Sequence, residues 1–190
     1  MTKGRLETFS DGVIAIIITI MVLELPIPQG TTFTSLLPSA PKLLSYVLSF
    51  VLLAIYWNNH HHLFHSVQKV SGKVLWANTH LLFWLSLIPF ATAWLGESDL
   101  ATPPVALYGF VLMLAALAYY ILVRALASLH GPDSELAIAL GKDYKGKVSL
   151  ALYVIAILIS PLLPIASIGV YILVTIVWIA PDPRFERQVR

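Results

Sequence analysis

The sequence predicts an all-α membrane protein with six transmembrane helices per chain. Three observations predict it. The chain has 190 residues, of which 58% are hydrophobic and only 12% charged, with a mean hydropathy of +0.81. That is more apolar surface than a water-soluble domain of this size requires. Six apolar stretches follow one another, and a spanning helix needs ~20 mostly apolar residues. Finally, the basic residues collect at alternate ends of these stretches.

The stretches run approximately Arg5–Leu25, Ser39–Val67, Lys73–Leu95, Pro104–Leu129, Gly146–Ser160 and Pro164–Ala180. Their breaks carry helix-stopping chemistry. Pro26, Pro28, Pro38 and Pro41 bracket the first loop. Ser71-Gly72 separates the second stretch from the third, and Gly96 through Pro104 the third from the fourth. Gly131-Pro132 ends the fourth. Pro161 and Pro164 split the last apolar region into two short helices joined tightly. We read residues 1–190 as a single six-helix transmembrane domain, without soluble domain, low-complexity segment or clear internal repeat.

Six spans put both termini on one side. That side holds Lys3, Arg5, Lys69, Lys73, Arg124, Lys142, Lys145, Lys147, Arg184, Arg187 and Arg190, which is 11 of the 12 basic residues. The other side holds Lys42, with Glu97 and Asp99. The expected placement is therefore a multi-pass protein of the cell membrane with both termini cytoplasmic. Lys3 and Arg5 before an apolar run resemble a secretory signal, but Glu24-Leu25-Pro26-Ile27-Pro28 offers no small-residue cleavage motif, and Glu7 and Asp11 sit badly in a signal. The absence of Cys removes disulfides and thiolate metal sites from consideration.

The first helix carries two unusual patterns. Ile16, Thr19, Ile20 and Leu23 recur at helical spacing and share one stripe, which extends inward to Gly12 and Phe9. Spacing alone leaves two readings. Either the stripe packs against lipid or another helix, with Thr19 bonded to its own backbone, or copies of the helix meet and form a hydrophobic constriction. The second pattern is polar. At ~1.5 Å per residue, Asp11 lies roughly 9 Å inward from Arg5, His60 roughly 10 Å above the end of its helix, and Asn78 roughly 8 Å inward from Lys73. Three helices thus bring Ser10 and Asp11, Asn58 through His61, and Asn78 and His80 to one depth. Polar groups at membrane depth are costly unless partnered. The expected partner of the Asp11 carboxylate is His60 or Asn78, with water of an inner vestibule nearby.

The run WNNHHHLFH invites a metal reading. His61 and His65 lie at i, i+4 and can meet one ion on a helix. His60, His61 and His62 point in three directions, however, and no glutamate accompanies them. Helix packing and hydrogen bonding is the expected role, with no metal, no cofactor and no enzymatic activity. The net charge of +2 gives no reason to expect nucleic acid.

Arg5-Leu6-Glu7-Thr8-Phe9-Ser10-Asp11 resembles the R-x-x-x-F-S-D motif of the transmembrane-protein-175 family of potassium channels. Trp57, His60, His61 and Phe64 are similar to its W-x-x-H-H-x-x-F pattern, and Asn78 with Leu87-Ile88-Pro89-Phe90 to its third helix. The resemblance covers essentially all six helices, and a single six-helix unit is similar to the bacterial members; animal members carry two units and act in lysosomes. It implies a homotetramer whose four first helices line the path of potassium ions through the lipid bilayer. It also implies constriction positions at Ile16, Thr19 and Leu23, with Ile20 alongside, and a polar network of Arg5, Ser10, Asp11, His60 and Asn78, with Phe9 and His61 in the same motifs. An aspartate usual between the second and third helices is absent between Lys69 and Leu75.

The expected function is a potassium-permeable cation leak channel with modest preference for K⁺ over Na⁺. No carbonyl filter sequence is present, and an apolar ring dehydrates an ion without replacing its shell. Glu24 has two readings, a concentrator of cations at the outer mouth or a solvated interfacial carboxylate. One rival is a proton-coupled transporter relaying through Asp11 and His60; another is a histidine-metal membrane enzyme.

Overall fold

The chain folds into an all-helical bundle, seen in a computed structural model that describes residues 2–131, 134, 136–138 and 143–179. Pro132, Lys142, Ala180, Arg184, Arg187 and Arg190 lie outside the described residues. Helix α1 spans Lys3–Leu23. A 3-10 segment, Phe33–Ser39, leads into α2, Ala40–His65. Helix α3 spans Gly72–Ser86 and α4 Ile88–Glu97. Helix α5 spans Thr102–His130, α6 Tyr144–Ile159 and α7 Pro164–Ile179.

Local chemistry sets these ends. The Thr2 side chain accepts from the Arg5 amide and starts α1. The Ser71 side chain does the same for α3 through Val74, and Asp143 for α6 through Gly146 at 2.9 Å. Helix α5 stops at Gly131, whose φ of +92° suits a residue without Cβ. One helix differs from expectation. The third stretch, read as continuous over Lys73–Leu95, is interrupted at Leu87. Pro89 causes this: its ring clashes with the carbonyl four residues back and it has no N–H to donate.

Helix α5 is the centre of the bundle. It packs on α3 and α4 on one side and on α6 and α7 on the other. Its small buried residues, Gly109, Ala115, Ala118 and Ala127, let neighbouring helices approach closely, as lipid-embedded packing requires. Helix α1 packs on α2, α3 and α4, away from α6 and α7. At one end, the Lys42 ammonium binds the Glu97 carboxylate at 2.8 Å and clips α2 to α4. Gly96 permits that contact, since a Cβ there would lie 2.8 Å from the Lys42 Cα. Inside, Ser49 Oγ meets Thr92 at 2.6 Å and the Tyr108 hydroxyl at 2.9 Å, satisfying three buried hydroxyls together.

Gly109 gives a stability test. A Cβ at this position collides with the Tyr171 hydroxyl, which donates to the Val105 carbonyl at 3.2 Å. Gly109→Val is expected to push α7 from α5 and cost about 1–3 kcal/mol. The thermal midpoint of the purified protein in detergent reads this; an unchanged midpoint would show that α7 moves aside freely.

Candidate functional site

Helix α1 has two faces of opposite character. Leu6, Ser10, Ile14, Ile17 and Met21 recur every three or four residues and are buried. The other side stands open: Ile16 is 59% exposed, Ile20 42% and Leu23 81%, and Thr19 is exposed with them. The Thr19 hydroxyl donates to the Ile16 carbonyl at 2.9 Å. Its proton is therefore committed, and the oxygen lone pairs are left facing outward. Beside this stripe, a groove of about 490 Å³ runs between α1 and the break at Pro89, lined by Ile16, Ile20, Pro89 and Phe90 with Glu24 at one end.

A hydrogen-bonded chain backs this helix. Asn78 Nδ2 donates to Ser10 Oγ at 2.9 Å. Ser10 in turn donates to the Leu6 carbonyl at 2.9 Å. The Asn78 amide oxygen accepts from His60 Nε2 at 2.8 Å, which assigns the ring proton to that nitrogen. All three residues are buried, and the Phe64 ring covers His60 with centroids 4.6 Å apart. One chain of bonds thus joins α1, α2 and α3.

Asp11 is bonded differently from expectation. Its carboxylate accepts from Trp57 Nε1 at 3.0 Å, and not from His60 or Asn78. The reason is rotation: Asp11 follows Ser10 by ~100° around the helix, so it points to the outer flank of α2 while Ser10 points inward. Neighbouring residues on α1 are therefore held by α3 on one side and α2 on the other, which fixes the axial rotation of α1. That rotation keeps the Ile16 stripe outward.

The remaining residues of the expected layer lie apart from it. Arg5 is exposed, and Phe9 is 53% exposed on the open side of α1. His61 is exposed and stacks between Trp57 and His65, with centroids at 6.0 and 6.3 Å. His80 is at the surface, accepting from Trp84 one turn along its own helix. Asn59 bonds back to the Ile55 carbonyl. No group of three or more His, Asp or Glu side chains that could hold a metal occurs among the described residues. Trp57 as the partner of Asp11 escapes any reading of polar periodicity, because a tryptophan beside apolar residues registers as lipid-facing; only its place in the W-x-x-H-H-x-x-F pattern marks it.

Trp57→Phe is expected to cost about 1 kcal/mol, since it keeps the ring but removes the N–H that pairs with a carboxylate in a half-exposed setting. Thermal midpoints of Trp57→Phe and Asp11→Ala measure this. A far larger loss for Asp11→Ala would show that Asp11 has a partner beyond Trp57.

Among the described residues, four helical segments are long and apolar enough to cross a membrane. With these apolar helices the protein is an integral, multi-pass membrane protein. The family model for the endosomal/lysosomal potassium channel TMEM175 matches residues 5–89. A potassium channel of Chryseobacterium sp. (strain P1-3) is 52% identical over 190 residues, covering 100% of this chain and 99% of that one. The human protein named endosomal/lysosomal proton channel TMEM175 is 32% identical over 103 residues, 48% of this chain and 20% of its own. The crystal structure of a lysosomal potassium-selective channel TMEM175 homologue from Chamaesiphon minutus superposes with a TM-score of 0.79 at 28% identity, covering 93% of this chain and 96% of that one. The chain belongs to the TMEM175 family of potassium channels. It is not an enzyme.

Proposed function

We propose that this protein is a potassium-permeable leak channel of the cell membrane, assembled as a homotetramer with α1 at the axis and both termini cytoplasmic. One observation supports it above the others. The polar layer locks α1 in a rotation that leaves Ile16, Ile20 and Leu23 exposed, on the side of the bundle away from α6 and α7. Four copies of such a stripe around an axis make stacked apolar rings. Six membrane-crossing segments per chain follow if α3 with α4 forms one crossing and the short α6 and α7 one each.

The selectivity mechanism is one of dehydration. An ion crossing the rings at Ile16, Ile20 and Leu23 loses water without receiving carbonyl ligands, and K⁺ surrenders its shell at lower cost than Na⁺. The outward oxygen of Thr19 supplies the one polar ring in this stretch, so the preference for K⁺ is modest. Arg5, Phe9 and His61, all open in the single protomer, stand where neighbouring copies or vestibule water meet them.

A relay through Asp11 and His60 finds less support, because the two are bonded to Trp57 and Asn78 respectively. The naming of animal relatives as proton channels makes protons the second ion to test. Planar-bilayer recording with K⁺ and Na⁺ on opposite sides, then with a pH gradient alone, separates these readings. An ohmic current reversing on the K⁺ side of zero is expected. Saturable flux coupled to protons at fixed stoichiometry would replace the channel by a transporter, and cross-linking that yields only monomers in conducting bilayers would remove the tetramer.

A further inference from the structure

We infer that the end of the α6–α7 hairpin carrying Tyr144 and Trp178 is a binding site for an anionic phospholipid headgroup. The inference rests on the placement of α1 at the axis, which turns α6 and α7 outward. Helix α6 has 16 residues, so it spans ~24 Å, against a hydrocarbon core of ~30 Å. Helices this short meet the headgroup region by drawing the bilayer inward and by sending long cationic and aromatic side chains to the interface.

The side chains needed are present at one end. Ser167 ties the two helices together by donating to the Ala156 carbonyl at 2.7 Å. At the far end of the hairpin, the Lys145 ammonium lies over the Trp178 ring, 4.5 Å from its centroid. Trp178 is itself held, donating through Nε1 to Ser149 Oγ at 2.9 Å. The cation is thus fixed in place above a braced aromatic surface. Lys147 is exposed and stands in line with Tyr144, Val148, Ile155 and Leu158, whose exposures are 76%, 56%, 50% and 72%. These positions recur at helical spacing and make one apolar stripe that ends in a lysine and a tyrosine. An acyl chain along the stripe brings its phosphate level with Lys147 and Lys145. The Asp143 carboxylate accepts from the Gly146 amide and caps the start of α6.

The test reads retained lipid and does not depend on current. The channel is reconstituted in vesicles of equal phosphatidylcholine and phosphatidylglycerol, extracted in mild detergent, and its co-purifying lipid quantified by mass spectrometry. Phosphatidylglycerol is expected to be enriched over phosphatidylcholine. Lys147→Met should cut that enrichment about 5-fold and Lys145→Met with Lys147→Met about 30-fold, as ~1 kcal/mol per basic residue at an anionic surface implies. Lys69→Met with Lys73→Met should leave it within twofold. Lys147→Met lies on an exposed position, so it reports even if the double variant fails to fold. Absent enrichment in the wild type, or equal loss in both lysine pairs, overturns the site. Stripping of phosphatidylglycerol by excess inorganic phosphate would overturn the commitment to a lipid in favour of a free anion. Lipid retained normally by a protein that passes no current would sink the channel reading instead.

Discussion

Asn78→Leu is expected to lose about 2–4 kcal/mol of stability, the combined cost of two broken hydrogen bonds and a buried ring N–H left without an acceptor. Asn78 is the middle of the chain: its amide nitrogen donates to Ser10 and its amide oxygen accepts from His60. All three groups are shielded from water, so no solvent replaces the lost partner. Leucine fills nearly the same volume, which separates the polar effect from a cavity. The thermal midpoint of the purified protein reads the loss. Combining Asn78→Leu with His60→Phe should recover much of it, because removing both partners leaves no stranded group. A midpoint unchanged in Asn78→Leu would mean that the layer is not what holds α1, α2 and α3 together.

The second expected effect concerns conduction. Ile16→Asn places an amide on the exposed stripe of α1, where each copy of the proposed tetramer contributes one side chain to a ring. The ring then admits water, and the barrier to ion entry falls. Each ~1 kcal/mol removed from that barrier raises unitary conductance about fivefold, and discrimination between K⁺ and Na⁺ should weaken with it. Thr19→Val keeps the size but deletes the outward oxygen that Thr19 presents beside the Ile16 carbonyl. Its selectivity should fall while assembly persists. The two variants are compared in one bilayer by unitary conductance and reversal potential. If Ile16 instead faced lipid, asparagine would lower insertion or stability and leave single-channel properties alone. Unchanged values for both variants in well-folded protein would move the ion path off this stripe.

Composition and period alone determined which stretches become helices and roughly where each ends. The bilayer acts on the average polarity of ~20 residues, and caps act within one turn, so both are written locally; α5 begins and ends within two residues of where its prolines and Gly131 put it, and α7 begins at Pro164. That Ser10, His60 and Asn78 lie at one level was legible for the same reason, since rise per residue is constant, and the three do meet. Tertiary structure decided who pairs with whom. Ser10 and Asp11 are neighbours in sequence, yet one turns inward to Asn78 and the other outward to Trp57, because a bond that forms only within ~3 Å depends on the rotation and crossing of whole helices. The same rotation decides that Phe9, Ile16 and Leu23 are open and Ile14 and Ile17 closed, a choice that the periodicity of an almost wholly apolar helix leaves undetermined.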